Sequence, residues 1–400
     1  MASICLLVLI YFAFISLGLP DGVLGAAWPA MRWSLNQPVE AAGLITMVAT
    51  ACSALSGFAS GAVLKRFSAG PVVMVSGFMT GLALLGFSVA PSFAMLLLLV
   101  VPLGFGAGAV DAAMNDFVAR HYSSRHINWL HGFWGLGATL GPALMAAALA
   151  RAPQSADGWR AGYQQIGLAQ LALAVLFLAT LPLWRRAPEV AQPADLPVDG
   201  VALGAAPRRP RQLARWLAPF LFFLYAGVEV GTSLWAATVL VESHHLSLAT
   251  AGLWVSGFFG AIMGGRFATG LVSQRLGNRK LVRFGLALAT LGAVLFSLGA
   301  WHDGLLLAGL VLLGLGCAPI YPALMHESAR RFDAATAQRV IGHQVGSAYI
   351  GCVVLPAALG LAGATWGLGL IMPLISAITL LLLWLSVTLD DMTEPYNLHN

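Results

Sequence analysis

The sequence predicts an all-α membrane protein with twelve transmembrane helices arranged as two pseudo-symmetric six-helix bundles. Three observations predict it. Of the 400 residues, 59% are hydrophobic and only 9% charged, too few to coat a globule in water. The apolar residues fall in blocks of roughly twenty or more, long enough to cross a hydrocarbon core of about 30 Å. The basic residues gather in every second connection between those blocks.

Taken in order, the spans are expected near 4–28, 41–64, 71–90, 92–119, 127–150 and 161–184. The second set is expected near 215–241, 249–272, 281–300, 303–326, 338–362 and 365–388. Runs of this length and continuity are helices, because barrel strands are far shorter and only helices or closed barrels satisfy their backbone in lipid. Residues 4–19 resemble the core of a signal peptide. No Lys or Arg precedes them, however, and the apolar stretch continues past Gly25, so they read as an uncleaved first span. The longest connection, 185–214, carries Pro188, Pro193, Pro197, Pro207 and Pro210 between two arginine clusters and reads as a linker. The expected domains are therefore 1–184 and 215–400, six spans each, joined by 185–214.

Orientation follows from charge. With the N-terminus in the cytoplasm, the inner connections hold 17 of the 21 basic residues, from Lys65 and Arg66 through Arg275, Arg279, Lys280 and Arg283 to Arg330, Arg331 and Arg339. The outer side keeps Arg32, Arg151 and Arg160, and Arg266 falls inside a span. This asymmetry places both termini and the linker in the cytoplasm of a cell inner (plasma) membrane protein. The net charge of +5 does not point to nucleic acid, because the basic residues sit in short loops. Cys5, Cys52, Cys317 and Cys352 lie within apolar blocks without metal-ligand spacing and read as buried free thiols. No metal, cofactor or enzymatic nucleophile–base pattern is expected, and a monomer is.

The halves echo each other. Gly61-Ala-Val-Leu-Lys65-Arg66 follows the second span, and Gly270-Leu-Val-Ser-Gln274-Arg275-Leu-Gly277-Asn-Arg279-Lys280 follows the eighth, 209 residues later in both Gly and Arg. Parallel repeats of this kind mark one transporter architecture. Both segments resemble the loop motif of the major facilitator superfamily, with Lys65 and Gln274 standing where that family carries an acid. Four further stretches resemble the fucose permease-type sugar:proton symporters. They are Leu19-Pro20-Asp21-Gly22, Gly104-Phe-Gly-Ala-Gly-Ala-Val-Asp111-Ala-Ala-Met-Asn115, His131-Gly-Phe-Trp134-Gly-Leu-Gly, and Gly342-His343-Gln344-Val-Gly-Ser-Ala-Tyr-Ile-Gly351. The resemblance implies that Asp21 and Asp111 serve proton coupling and sugar recognition, with Asn115 one helical turn beyond the second acid.

Charged and polar groups inside lipid are costly, so each calls for a reason. Asp111 sits among Val110, Ala112 and Ala113 and is the leading proton acceptor; Asp21 is expected toward the outer end of the first span. Asp116 reads as a helix-end brace for Arg120 at i+4. Glu229, flanked by Gly227 and Gly231, has Trp235 about a turn and a half beyond it. Arg266 requires a partner, and Glu327 reads as interfacial. His131, Trp134, Tyr321, His343 and Gln344 supply the aromatic faces, imidazoles and amides that a sugar's ring and hydroxyls need. With Asn115, Glu229 and Trp235 they form the expected substrate set.

The expected function is secondary active transport of a small molecule across the bilayer by alternating access, as proton symport of a monosaccharide or related polyol. Proton-driven efflux of a sugar or amphipathic compound uses the same fold and acids, and sodium coupling stays open because a carboxylate binds either cation. From another class, a non-transporting membrane sensor is disfavoured by the absence of a soluble signalling domain from the sequence and by acids in both the first and the fourth spans.

Overall fold

The structure, a computed structural model, describes residues 2–122, 124–152, 155, 157–184, 212–299 and 302–393. Its helices in the first half are α1 (Ala2–Gly18), α2 (Val23–Ser34), α3 (Ala41–Phe67), α4 (Ala69–Val89), α5 (Phe93–His121), α6 (Ser124–Arg151), α7 (Gly158–Ala179) and α8 (Leu181–Trp184). Those in the second half are α9 (Gln212–Glu242), α10 (Leu248–Leu276), α11 (Asn278–Ser297), α12 (Asp303–Cys317), α13 (Ile320–Arg331), α14 (Ala334–Trp366) and α15 (Ile371–Thr393). No strand occurs among the described residues. Among the described residues, twelve segments are long and apolar enough to cross a membrane, near the expected bounds. The expected linker 185–214 lies outside the described residues except for Gln212, Leu213 and Ala214, which open α9.

Two spans are broken, and proline is at each break. α1 and α2 together form the first span, Cys5–Ser34, interrupted at Leu19-Pro20-Asp21-Gly22. α12 and α13 form the tenth, interrupted at Ala318-Pro319. Proline has no N–H to donate and crowds the turn before it, so an α-helix tends to bend or stop there. The first span also ends later than expected. Asp21 therefore lies near its middle and not toward its outer end, because Pro29 is accommodated inside α2 without stopping it. Cys52 and Cys317 are buried as expected, whereas Cys5 is exposed near the start of α1 and Cys352 is half-buried.

The chain packs as two compact units. The first comprises Met1–Val190, Thr232–Met263 and Pro356–Ile371, and the second Ala191–Gly231, Gly264–Leu355 and Met372–Asn400. Within the first unit, the later parts of α9, the earlier parts of α10 and the end of α14 pack on helices of the N-terminal half. Arg32 at the end of α2 pairs with Glu242 at the end of α9, Nη1 to Oε1 3.0 Å. Ser256 donates to the Thr139 carbonyl at 2.7 Å. Nearby, Asp157 accepts from the Ser34 hydroxyl at 2.9 Å and from Arg160 Nε at 3.0 Å. These two bonds, that of Ser34 foremost, hold its carboxyl below the usual aspartate range. Arg32 and Arg160 are thus committed to specific acids.

In the second unit the ends of α11, α13 and α15 share an ion network. Arg279 Nε lies 3.0 Å from Glu327 Oε2 and 3.8 Å from Asp390 Oδ1. Arg283 Nη2 lies 2.8 Å from Asp390 Oδ2, and Arg331 Nη2 donates to Asp390 Oδ1. Glu327 was expected at the interface; it sits at a span end but is buried, because three arginines approach it. Gln344 is buried as well, its Nε2 donating to Ser328 Oγ at 2.7 Å, so it does not face lipid.

Candidate functional site

The break in the first span builds the N-terminal part of the site. Asp21 N–H bonds back to Gly18 and Val23 N–H to Pro20, tight turns that replace the α-helical pattern. Gly22 takes φ +71° there, a left-handed conformation that glycine adopts without strain. It also lies against the Phe259 ring, where an added Cβ would come within 2.3 Å. The break leaves Asp21 exposed, and Trp134 of α6 donates its indole N–H to Asp21 Oδ2 at 2.7 Å. Backbone approach makes this possible: a Cβ at Gly141 would stand 2.0 Å from the Leu19 carbonyl oxygen, and one at Gly137 2.2 Å from that of Ile15. Glycines on one face of α6 therefore let α1 come close enough for an indole to reach the carboxylate. Phe259 meets the Trp134 ring edge to face, at a centroid distance of 6.3 Å.

Asp111 lies on α5, half-buried, next to core residues Val110, Ala113 and Met114. Asn115 donates through Nδ2 to both the Asp111 carbonyl and its Oδ1, each at 2.9 Å. Spacing of four residues puts the two side chains on one face, as expected. The amide thereby fixes the carboxylate's rotamer and marks one oxygen as acceptor. His131 is exposed on α6 and meets Phe14 edge to face at 5.9 Å. Asp116 is half-buried on α5, and the side chain of its expected partner Arg120 lies outside the described residues.

The second unit holds a separate cluster. Glu229 on α9 accepts from the Tyr225 hydroxyl one turn earlier, and that hydroxyl oxygen lies 3.0 Å from the Cys317 carbonyl of α12. Arg266 of α10 brings Nη2 to 3.8 Å from Glu229 Oε2, which identifies the partner that the sequence alone did not name. Both side chains are less than one-fifth exposed, and such a pair avoids leaving either charge alone in lipid. Tyr321 of α13 packs its half-buried ring against Phe222 and Tyr225. His343 stacks on Trp216, nearly parallel at 5.7 Å, and both are exposed.

Trp235 belongs to the first unit. It is fully buried, its indole N–H donates to the Pro356 carbonyl at 2.8 Å, and its ring fills the space above Gly360. In this conformation it braces α9 against α14. The structure thus joins Asp21 with Trp134, Asp111 with Asn115, and Glu229 with Arg266 and Tyr225. The last two residues were outside the expected set. An arginine in mid-span was their visible signal, since an isolated charge there demands a nearby acid.

A sequence model of the family described as Major Facilitator Superfamily matches residues 10–268 and 220–398. The chain is 23% identical over 320 residues to the glucose/mannose transporter GlcP of Bacillus subtilis (strain 168), covering 78% of this chain and 77% of that protein. Among solved structures, it resembles a bacterial homolog of the human lysosomal transporter Spinster in an inward-facing, occupied conformation, with a TM-score of 0.76 and 15% identity. That match covers 97% of this chain and 96% of the other. The nucleoside transporter NupG is similar at a TM-score of 0.71 and 12% identity, covering 97% and 98%.

Proposed function

The chain belongs to the Major Facilitator Superfamily, whose members are transporters and not enzymes, and we propose that it carries a monosaccharide or related polyol together with a proton. One observation carries this reading: an exposed carboxylate, Asp21, stands at a helix break in mid-span with a tryptophan indole bonded to it. An indole face packs against the apolar side of a sugar ring, and the carboxylate accepts from its hydroxyls. The likeness to a glucose/mannose transporter supports the same substrate class. Asp111, fixed by Asn115, is the proposed proton site. His131 joins Asp21 and Trp134 as a proposed substrate contact of the first unit, and Glu229, Tyr321 and His343 are proposed substrate contacts of the second.

Counterflow in proteoliposomes tests the substrate class, because exchange requires transport but no driving ion. With unlabelled monosaccharide trapped inside, radiolabelled glucose or mannose is expected to accumulate transiently, and a labelled nucleoside is not. Nucleoside counterflow without sugar counterflow sinks the sugar reading.

The proposed transport halves are 1–184 and 215–400, with the 185–214 linker and both termini in the cytoplasm of the inner membrane. The basic connections support this orientation. A cysteine placed in the linker is expected to escape an impermeant maleimide applied to intact cells and to react after permeabilisation. Strong labelling from outside reverses the assignment.

A further inference from the structure

The helix break that presents Asp21 leaves a backbone group to satisfy. In α1 the Ser16 carbonyl would accept from the N–H of residue 20, but that residue is proline and has none. A carbonyl buried without a donor is expensive, the more so where water is absent. Gln170 of α7 supplies the donor: its Nε2 lies 2.7 Å from the Ser16 carbonyl oxygen. Ser16 Oγ returns a hydrogen bond to Gln170 Oε1, closing a two-point clasp. Gln170 is 1% exposed and Ser16 7%. The clasp forms one wall of a cavity of about 20 Å³ whose other walls include Pro20, Thr80, Val110 and Phe177. That is room for about one water.

We propose that Gln170 is the positioning residue for Asp21. The glycine face of α6 sets how closely α1 approaches, but it supplies no hydrogen bond to the carbonyl that Pro20 strands. Gln170 does, and so lets the helix stop at Gly18 and hand its carboxylate to Trp134. Without the clasp the break slides or tightens to find another donor, and the carboxylate moves with it. The inference rests on the reading of Asp21 as a working carboxylate, yet it is tested without any substrate.

The two substitutions that separate the outcomes are Gln170→Leu and Gln170→Glu. Leucine removes both halves of the clasp. A protonated glutamic acid keeps them, donating through O–H and accepting through C=O, whereas its ionised form only accepts and faces the Ser16 carbonyl with a like dipole. The cavity residues on α1, α4, α5 and α7 include no ionisable side chain, so nothing among them competes with that titration. The readout is the rate at which a hydrophobic carbodiimide modifies Asp21 in nanodisc-embedded protein as pH varies, located by peptide mass spectrometry. The acid adds across the carbodiimide, its proton passing to nitrogen, so the rate reports both exposure and protonation of the carboxyl group.

Gln170→Leu is expected to change the Asp21 profile several-fold at every pH. Gln170→Glu should follow the unmodified protein in acid and depart from it as the new carboxyl ionises. Identical profiles in all three proteins, or an Asp21 that does not react in the unmodified one, overturn the proposal. A stability cycle provides the second arm. Pro20→Ala returns an N–H to the Ser16 carbonyl, so Gln170→Leu should lower the melting temperature far less in that background. Equal losses in both backgrounds also overturn it. Absent sugar counterflow in the unmodified protein would sink the sugar reading and leave these results standing.

Discussion

Asp111→Asn is expected to abolish substrate accumulation driven by an imposed proton gradient while substrate counterflow persists. A coupled carrier needs a carboxylate that loads a proton on one side and releases it on the other. Asp111 meets the structural needs: it is half-buried within the fourth span, and Asn115 holds its rotamer through two bonds of 2.9 Å. Asparagine has nearly the same volume, its side-chain carbonyl can still accept from Asn115, and its NH₂ stands in for the carboxylic O–H. The variant is thus frozen in a state resembling the protonated one, able to bind and exchange but unable to release a proton. The size of the effect follows from the driving force. One charge moved through 100 mV is worth about 2.3 kcal/mol, which sustains roughly a 50-fold concentration ratio. That ratio should fall to one. Accumulation by the Asp111→Asn variant under a proton gradient alone would place the coupling site elsewhere. Asp21→Asn should also impair transport, through lost substrate contact or lost coupling, and comparing counterflow with accumulation tells which.

The spans were legible because lipid imposes a simple rule on composition and length, and few residues contradict it. The breaks were less so. Pro20, Pro29 and Pro319 are all visible in the sequence, but Pro29 is carried inside α2 whereas the other two stand at helix breaks. Gln170 is 154 residues from the Ser16 it serves, so no local pattern announces it. The same distance hides pairs of charges. Glu229 and Arg266 each looked unaccompanied in sequence because their partnership is made by packing α9 beside α10. Trp134 was recognisable as an aromatic in a polar-flecked helix, but its bond to Asp21 depends on glycines of α6 admitting α1. Beyond Asp111 and Asn115, four residues apart on one helix, residue type did not predict which groups meet.

Asp390→Ala is expected to destabilise the second unit by about 3–5 kcal/mol, the cost typical of breaking a buried ion pair from one side. Sequence reading assigned Arg279, Arg283 and Arg331 to the cytoplasmic charge excess and left Asp390 without a role. In the structure Asp390 is fully buried and draws all three together: Arg331 Nη2 on Oδ1, Arg283 Nη2 at 2.8 Å on Oδ2, and Arg279 Nε at 3.8 Å. Arg279 and Arg283 are partly exposed and can turn to water, which moderates the loss. Arg331 is buried and cannot. Its remaining acid, Glu327, is 4.0 Å from Nε and already engaged by Arg279 at 3.0 Å. Removing the Asp390 carboxylate therefore leaves a buried guanidinium whose main counter-charge is gone. The half-buried pair joining the ends of α2 and α9 is the comparison: Glu242→Gln should cost less, about 1 kcal/mol, since both it and Arg32 are less deeply buried than Asp390 and Arg331. Adding Arg331→Met to Asp390→Ala should recover part of the loss, because the stranded charge is then removed while its volume is roughly kept. Unfolding of the purified variants in one detergent reads all three. An Asp390→Ala protein as stable as the Glu242→Gln protein would mean that water reaches Arg331 and that the network contributes little.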